Sequence, residues 1–188
     1  MRRKTFEVLF EPKSGMLELV VSPCLWRSGW YFFLSVGLFT GVVSNIWFSE
    51  MPLSVRFAII IATVIISGTA LSLYGFLLHG ILETFGALTG DPKGLICVLG
   101  YTTLPFLILT PLALFSGRLG LHGILPLICV VIAGFLWMLY LLVHSLQVVY
   151  LIDFARAGVA VLFSLFLLGI VFLLPWKIGF ELLLRHIS

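Results

Sequence analysis

Charged residues are scarce in this sequence. Asp, Glu, Lys and Arg together make up 10% of the 188 residues, whereas hydrophobic residues make up 61%. A soluble domain usually has about 25% charged residues, so this chain cannot cover a water-soluble fold with polar surface. The lipid bilayer is therefore the expected solvent for most of the chain, and no room remains for a separate soluble domain.

The motifs of common catalytic and metal sites are also missing. Cys24, Cys97 and Cys129 are widely spaced and form no CxxC pair, which argues against disulfides and zinc. No HExxH or GxxxxGK[ST] pattern occurs, and no Ser, His and Asp stand in a catalytic arrangement. The sequence predicts no cofactor, no metal site and no enzymatic activity. The net charge of +3 is concentrated near the N-terminus, which suits an anionic membrane surface rather than nucleic acid.

Residues 1–29 are predicted to form an amphipathic interfacial segment. Glu7, Glu11 and Glu18 interrupt its apolar residues, so it is neither a signal peptide nor a spanning helix. A short helix lying on the membrane is one interpretation, and a hairpin with strands at 6–10 and 16–20 is the alternative. Residues 177–188 are predicted to be a second amphipathic segment, the C-terminal tail.

Apolar stretches long enough to cross a bilayer fill the rest of the chain, residues 30–176. A spanning helix needs about 20 apolar residues. The predicted spans are residues 30–48, 56–82, 95–115, 124–146 and 158–176. The fold class predicted is therefore an all-α polytopic integral membrane protein with about five transmembrane helices. Seven Lys and Arg residues lie in segments on the same side of the membrane as the N-terminus and four lie in segments on the other side, which favours a cytoplasmic N-terminus and a C-terminus outside.

Small residues at helical spacing are predicted to let these helices approach closely. In the second span they share one helix face with two ionisable residues. The predicted helix-packing residues are Gly37, Gly41, Gly68, Ser72, Gly75, Gly86 and Gly100. Gly90 is predicted to cap the end of the second span. Pro92, Pro105 and Pro111 are predicted to break helices, because proline removes a backbone donor.

Ionisable residues gather on the side predicted to be cytoplasmic. His79 and Glu83 are one turn apart near the end of the second span. The whole candidate polar site consists of His79, Glu83, Asp91, Lys93, His144, Asp153 and Arg156. An ionisable residue in a membrane segment is a functional hypothesis by default. A proton or ion path and a hydrogen-bonded interfacial pair are both open interpretations.

The polar stretch after the second span resembles a motif of the Yip family. Residues 89–94 read TGDPKG and residues 100–105 read GYTTLP. They look like the family's Gly-rich loop and its GY-small-small-Leu-Pro run, and residues 156–157 are similar to its basic-small entry to the fifth span. The resemblance implies a five-span, generally non-enzymatic membrane protein, from a family named for interaction with Rab-type GTPases in eukaryotes. The DLYGP-type motif and longer N-terminal region of eukaryotic members are not found, so the resemblance is to the bacterial-type branch and implies the bacterial inner membrane.

The functional prediction is a scaffold or accessory subunit that binds other integral membrane proteins or a larger membrane complex. A homo-oligomer is a second form of assembly that the small-residue faces allow. Two alternatives remain open. One is a small transporter or channel that uses the ionisable residues, and the other is a protein that handles lipid or membrane shape.

Overall fold

The described chain is helical apart from short connections. The computed structural model describes residues 8–21, 23–87, 90–117, 119 and 123–187, with the backbone alone for residues 18 and 171–187. Residues 8–10 form a helical turn, and no strand occurs in the described ranges. The helices that follow are α1 (Pro12–Val21), α2 (Leu25–Trp47), α3 (Leu53–Thr84), α4 (Pro92–Thr102), α5 (Leu104–Gly117), α6 (Ile124–Tyr150) and α7 (Phe154–Ile187).

Length and composition make most of these helices suitable for crossing a membrane. Within the described residues, α2, α3, the pair α4–α5 and α6 are long and apolar enough to do so. Helix α7 is apolar from Phe154 to Ile170 and its backbone stays helical to Ile187. The predicted all-α polytopic membrane fold is confirmed.

The broken span α4–α5 is the centre of the bundle. Over its most apolar 18-residue stretch, 56% of the residues are buried, compared with 17% or fewer in α2, α3 and α6. Helix α4 packs against α1, α2, α3 and α6, and α5 packs against α2 and α6. In contrast, the first half of α3 exposes Ile61, Ile65 and Ile66, as expected of a surface that faces lipid. The α4–α5 pair therefore organises the helices around it.

The interruption between α4 and α5 lies at Thr103. Pro105, in the first turn of α5, has no N–H to offer to the preceding helix. The hydroxyl groups of Thr102 and Thr103 donate to the carbonyls of Leu99 and Gly100, each at 2.7 Å. Such bonds satisfy carbonyl groups that a broken helix leaves inside a membrane protein.

The other two prolines behave differently from each other. Pro92 occupies the first turn of α4, where its missing N–H would have no helical partner anyway. Pro111 lies inside α5, which continues through it. The prediction of a helix break at Pro111 is therefore wrong.

Several helix boundaries also differ from prediction. Helix α2 begins at Leu25 rather than at residue 30, and the backbone of α7 continues past residue 176. The linker predicted over 147–157 is wrong, since only residues 151–153 separate α6 from α7. Leu151 ends α6 in the left-handed conformation with a φ of 53°. The sequence gives no glycine there to indicate this sharp end.

The N-terminal segment is a packed helix rather than a hairpin. Residues 8–10 and α1 are helical, so the hairpin alternative is wrong over residues 8–21. Helix α1 packs against α4 and α6, and Met16 has no exposed surface. Its sulfur lies 3.5 Å from the hydroxyl of Ser145 in α6. Side-chain burial against two helices therefore holds this segment on the bundle.

Candidate functional site

Four helix ends meet at one end of the bundle, the polar end. Helix α3 ends there at Thr84, α4 begins at Pro92, α6 ends at Tyr150 and α7 begins at Phe154. Every residue of the predicted polar site lies near one of these helix ends or in the connections between them. Direct contacts then divide these residues into smaller groups.

The first group is an array of Glu83, His79 and Tyr150. His79 Nδ1 lies 2.5 Å from the hydroxyl oxygen of Tyr150, and His79 Nε2 lies 3.3 Å from Glu83 Oε1. The side chain of Glu83 is 57% exposed and that of His79 is 17% exposed, whereas Tyr150 is 2% exposed. The array therefore runs from the surface of the polar end into the interior and joins α3 to α6.

Gly90 makes room for the tyrosine ring of this array. A Cβ atom at Gly90 would come within 2.5 Å of Tyr150 Cζ. Neither residue was predicted as part of the site, because Tyr150 fell in the predicted linker and Gly90 was interpreted as a helix cap. A signal was present in the sequence, since Tyr150 continues the apolar pattern of α6 beyond residue 146.

Gly86, not Gly90, ends α3. Its φ of 83° is a conformation that glycine adopts at little cost. The N–H of Gly86 donates to the carbonyl of Glu83, and the N–H of Ala87 donates to the carbonyl of Leu82, both at 3.0 Å. This is the Schellman pattern of helix termination. A Cβ at Gly86 would meet nothing within 4 Å, so the prediction that Gly86 is a helix-packing residue is wrong.

Asp91 and Lys93 belong to the start of α4. The carboxylate of Asp91 accepts hydrogen bonds from the backbone N–H groups of Lys93 and Gly94, at 3.1 and 3.3 Å, and so caps the helix. The side chain of Lys93 is exposed. Asp153 and Arg156 form a separate exposed ion pair at 3.3 Å. Such pairs contribute little to stability.

His144 is not part of the Glu83–His79–Tyr150 array. Its Nδ1 lies 3.0 Å from the backbone carbonyl of Tyr140, and its ring packs against Tyr140 and Phe154. In the described part of the chain, no group of three or more His, Cys, Asp or Glu is placed to hold a metal ion. The predicted polar site is thus several local arrangements at one end of the bundle rather than a single cluster.

Five of the predicted packing glycines lie where helices cross. Gly37, Gly41 and Gly68 are at the α2–α3 crossing, Gly75 at α3–α4 and Gly100 at α2–α4. A Cβ at Gly37 would lie 3.8 Å from Val64 Cγ2, and one at Gly41 would lie 3.7 Å from Ile60 Cδ1. A Cβ at Gly68 would lie 3.3 Å from Phe32 Cε1, and one at Gly75 would lie 2.7 Å from Leu99 Cδ1. A Cβ at Gly100 would lie 2.8 Å from the backbone oxygen of Ser28. Ser72 donates to the carbonyl of Gly68 at 2.9 Å.

Buried serines on α2 were missed by the sequence-based prediction. Ser28, Ser35 and Ser44 are the buried residues of this helix, and Ser28 donates to the carbonyl of Cys97 at 2.6 Å. Serine is small enough for close helix approach. The spacing of seven residues between Ser28 and Ser35 was the available signal.

A cleft of about 410 Å³ lies between α2, α3 and α4. Small and apolar side chains line it, and its two serine hydroxyls already donate to backbone carbonyls. Its lining consists of Leu25, Ser28, Gly29, Phe32, Gly68, Leu71, Ser72, Ile96, Leu99 and Gly100. A smaller hollow of about 270 Å³ beside Trp26 and Trp30 shares Leu25 and Gly29 with this cleft.

The helices, the central broken span and the polar end define a polytopic α-helical membrane protein. Residues 6–175 match the family model described as the Yip1 domain. The chain therefore belongs to the Yip family, which confirms the resemblance drawn from residues 89–105, although residue 89 lies outside the described residues. No curated protein and no solved structure matches the chain significantly. The bacterial-type branch stays a prediction.

Proposed function

We propose that this protein is a non-enzymatic scaffold or accessory subunit that binds another integral membrane protein through the α2–α3–α4 cleft. The observation that carries the proposal is Gly29, a glycine in the wall of the cleft that no internal contact requires. A Cβ at this position would meet nothing within 4 Å. Inside a helix, glycine costs up to about 1 kcal/mol relative to alanine. Gly80 also has open space at its Cβ position, but Gly29 differs from it in lying in the wall of the cleft, which favours contact with a partner there.

The shape of the cleft suits a transmembrane helix. Its walls bring Gly29, Gly68 and Gly100 together from three helices, and small residues let helix backbones approach closely in lipid. The hydroxyls of Ser28 and Ser72 are used inside the chain. The partner surface that fits this cleft is therefore apolar and close-packed.

The proposed setting is the bacterial inner membrane, with the polar end and the N-terminus toward the cytoplasm. Lys93 and Arg156 are exposed at the polar end, Arg156 in an ion pair with Asp153. Arg56, at the opposite end of α3, is only partly exposed and donates to Asn45 at 2.7 Å. The exposed basic side chains at the polar end support the orientation, because basic residues near span ends favour the cytoplasmic side.

Replacement of Gly29 by leucine tests the proposal. The full-length protein is purified from native membranes in mild detergent, and co-purifying membrane proteins are quantified by mass spectrometry. Gly80→Leu is the matched control, since Gly80 lies on α3 outside the cleft and also has nothing within 4 Å of its Cβ position. We expect a stoichiometric partner with the parent and with Gly80→Leu, and its loss with Gly29→Leu. Equal recovery in all three contradicts the proposal.

The identity of the occupant is checked by photocrosslinking. A photoreactive residue in place of Leu25, which lies at the rim of the cleft and is 49% exposed, labels whatever fills the cleft in the membrane. A protein adduct that disappears with Gly29→Leu supports the scaffold. A lipid adduct alone, or a parent protein that purifies only with copies of itself, contradicts binding of another membrane protein.

A further inference from the structure

We propose that Cys24 and Cys97 are a reversible disulfide site that joins the start of α2 to α4. All three cysteines of the chain are free thiols in the structure. Their wide spacing in the sequence argued against disulfides, but tertiary packing brings the first two together. The proposal rests on the geometry of the α2–α4 crossing and does not depend on the occupant of the cleft.

Helices α2 and α4 are in close backbone contact near Ser28. A Cβ at Gly100 would lie 2.8 Å from the backbone oxygen of Ser28, and the hydroxyl of Ser28 donates to the carbonyl of Cys97 at 2.6 Å. Further along both helices, the ring centroids of Tyr31 and Tyr101 are 5.0 Å apart. Because these contacts advance in the same sense along both helices, α2 and α4 run parallel, and residues at corresponding heights face each other.

The two cysteines lie at corresponding heights, about one helical turn before this contact. Cys24 immediately precedes α2, and its carbonyl accepts from the N–H of Ser28 at 3.1 Å. Cys97 lies three residues before Gly100, and residues three or four apart share a helix face. The sulfur of Cys97 interacts with the backbone N–H of Cys24 and with its thiol. The two thiols are therefore neighbours across the crossing, as a disulfide requires, since it joins Cα atoms about 4.4 to 6.8 Å apart.

The different exposure of the two thiols gives the order of the reaction. Cys24 is partly exposed, whereas Cys97 has no exposed surface. Hydrogen peroxide oxidises the Cys24 thiol to a sulfenic acid, and one water leaves. The sulfur of Cys97 then attacks the sulfenic sulfur, so the S–S bond forms and a second water leaves. The two thiols lose two electrons and two protons in total, and a dithiol reductant returns them.

The disulfide would form beside the cleft between α2, α3 and α4. Leu25, next to Cys24, and Ile96, next to Cys97, both line this cleft. A covalent bond between the cysteines therefore fixes the separation of α2 and α4 at the wall of the cleft, whereas the reduced pair leaves that separation to noncovalent packing. The site links the geometry of the cleft to the redox state of the two thiols.

Differential alkylation after peroxide treatment tests the proposal. The full-length protein is purified in mild detergent, reduced with a dithiol, freed of reductant and exposed to hydrogen peroxide. It is then denatured with a light maleimide, reduced again and labelled with a heavy maleimide, and the cysteine peptides are quantified by mass spectrometry. We expect Cys24 and Cys97 to lose the light label together and to gain the heavy label, with a linked peptide in the unreduced sample. Treatment with dithiol before the first alkylation should reverse this.

Cys129 is the internal control, since it is exposed on α6 and should keep the light label. Cys129→Ser should oxidise like the parent, whereas Cys97→Ser should stop at a sulfenic acid on Cys24 that dimedone traps. The proposal is overturned if the parent keeps both thiols, if its Cys24 stops at the sulfenic acid, or if the linked peptides join Cys129 or two copies of the chain.

Protein unfolded in SDS before the peroxide treatment is the control for the fold. An equal yield of the Cys24–Cys97 disulfide from the unfolded protein also overturns the proposal, because the fold would then not place the pair. The deciding comparisons use the parent and Cys129→Ser, so they hold even if Cys97→Ser does not fold.

Discussion

Replacement of Gly90 by alanine is expected to destabilise this protein more than any other single-methyl addition near the polar end. The new Cβ would lie within 2.5 Å of Tyr150 Cζ, and the tyrosine cannot move away without leaving His79. The ring is buried and belongs to the main core of the bundle. Either the ring or the backbone at residue 90 must therefore shift.

The size of the effect follows from two contributions. Overpacking of a filled core costs about 1 to 3 kcal/mol, and loss of the Tyr150–His79 hydrogen bond costs about 0.5 to 1.5 kcal/mol. Gly90→Ala should therefore lower the free energy of unfolding by about 2 to 4 kcal/mol. Reversible unfolding in mixed detergent micelles measures this quantity.

Two neighbouring glycines provide controls of opposite sign. Gly80 lies inside α3 with open space around its Cβ position, so Gly80→Ala should stabilise the protein by up to about 1 kcal/mol through helix propensity. Gly86 also has open space, but its φ is 83°. Gly86→Ala should therefore cost about 1 to 2 kcal/mol through backbone strain alone.

A double substitution isolates the steric cause. Tyr150→Leu removes the ring atoms that crowd residue 90, so alanine at 90 should cost much less in the Tyr150→Leu background than in the parent. The reasoning is refuted if Gly90→Ala costs no more than Gly86→Ala, or if its cost is unchanged when the ring is absent.

Two further predictions concern helix ends. Leu151 is 79% exposed and has a φ of 53°, so Leu151→Gly should stabilise the protein by about 1 kcal/mol by relieving left-handed strain; a loss of stability in the same unfolding assay would contradict this. Asp91→Ala should lower the free energy of unfolding by about 1 kcal/mol, because the α4 cap is lost. Asp91→Asn should retain most of the stability that the cap contributes, because asparagine caps helices about as well as aspartate. Equal losses of stability in the two variants would contradict this, since they would show that the negative charge of Asp91, and not its hydrogen bonds to the helix N-terminus, stabilises the protein.

Composition and periodicity were sufficient to predict the membrane fold, but not the ends of its helices. The scarcity of charge and the apolar stretches predicted the all-α polytopic class, which the structure confirms. The end of α6 was missed because Leu151 stops the helix by a backbone conformation that leucine rarely adopts. Likewise, Pro111 was predicted to break a helix that continues through it, since one missing N–H does not decide the course of a packed helix.

Helical spacing placed the ionisable residues well but did not reveal their partners. His79 and Glu83 were predicted to lie one turn apart, and they are in contact. Tyr150 is 71 residues away in sequence from His79, and only tertiary packing brings the two together. The wrong prediction for Gly86 has the same cause. Gly86 shares one helix face with the packing glycines, and spacing alone does not distinguish them from the glycine that ends the helix. Spacing along one helix carries no information about what the neighbouring helix presents.

Five positions in the stretch that carries the family resemblance have a structural explanation. Gly90 receives the ring of Tyr150, Asp91 caps α4, and Gly100 allows α2 to approach at Ser28. Thr102 and Thr103 satisfy carbonyls at the helix break. These contacts preserve the fold, and a fold by itself does not define a function. Gly29 lies outside that stretch, in the wall of the α2–α3–α4 cleft, with open space at its Cβ position, so the search for a partner should begin at Gly29 rather than at the motif.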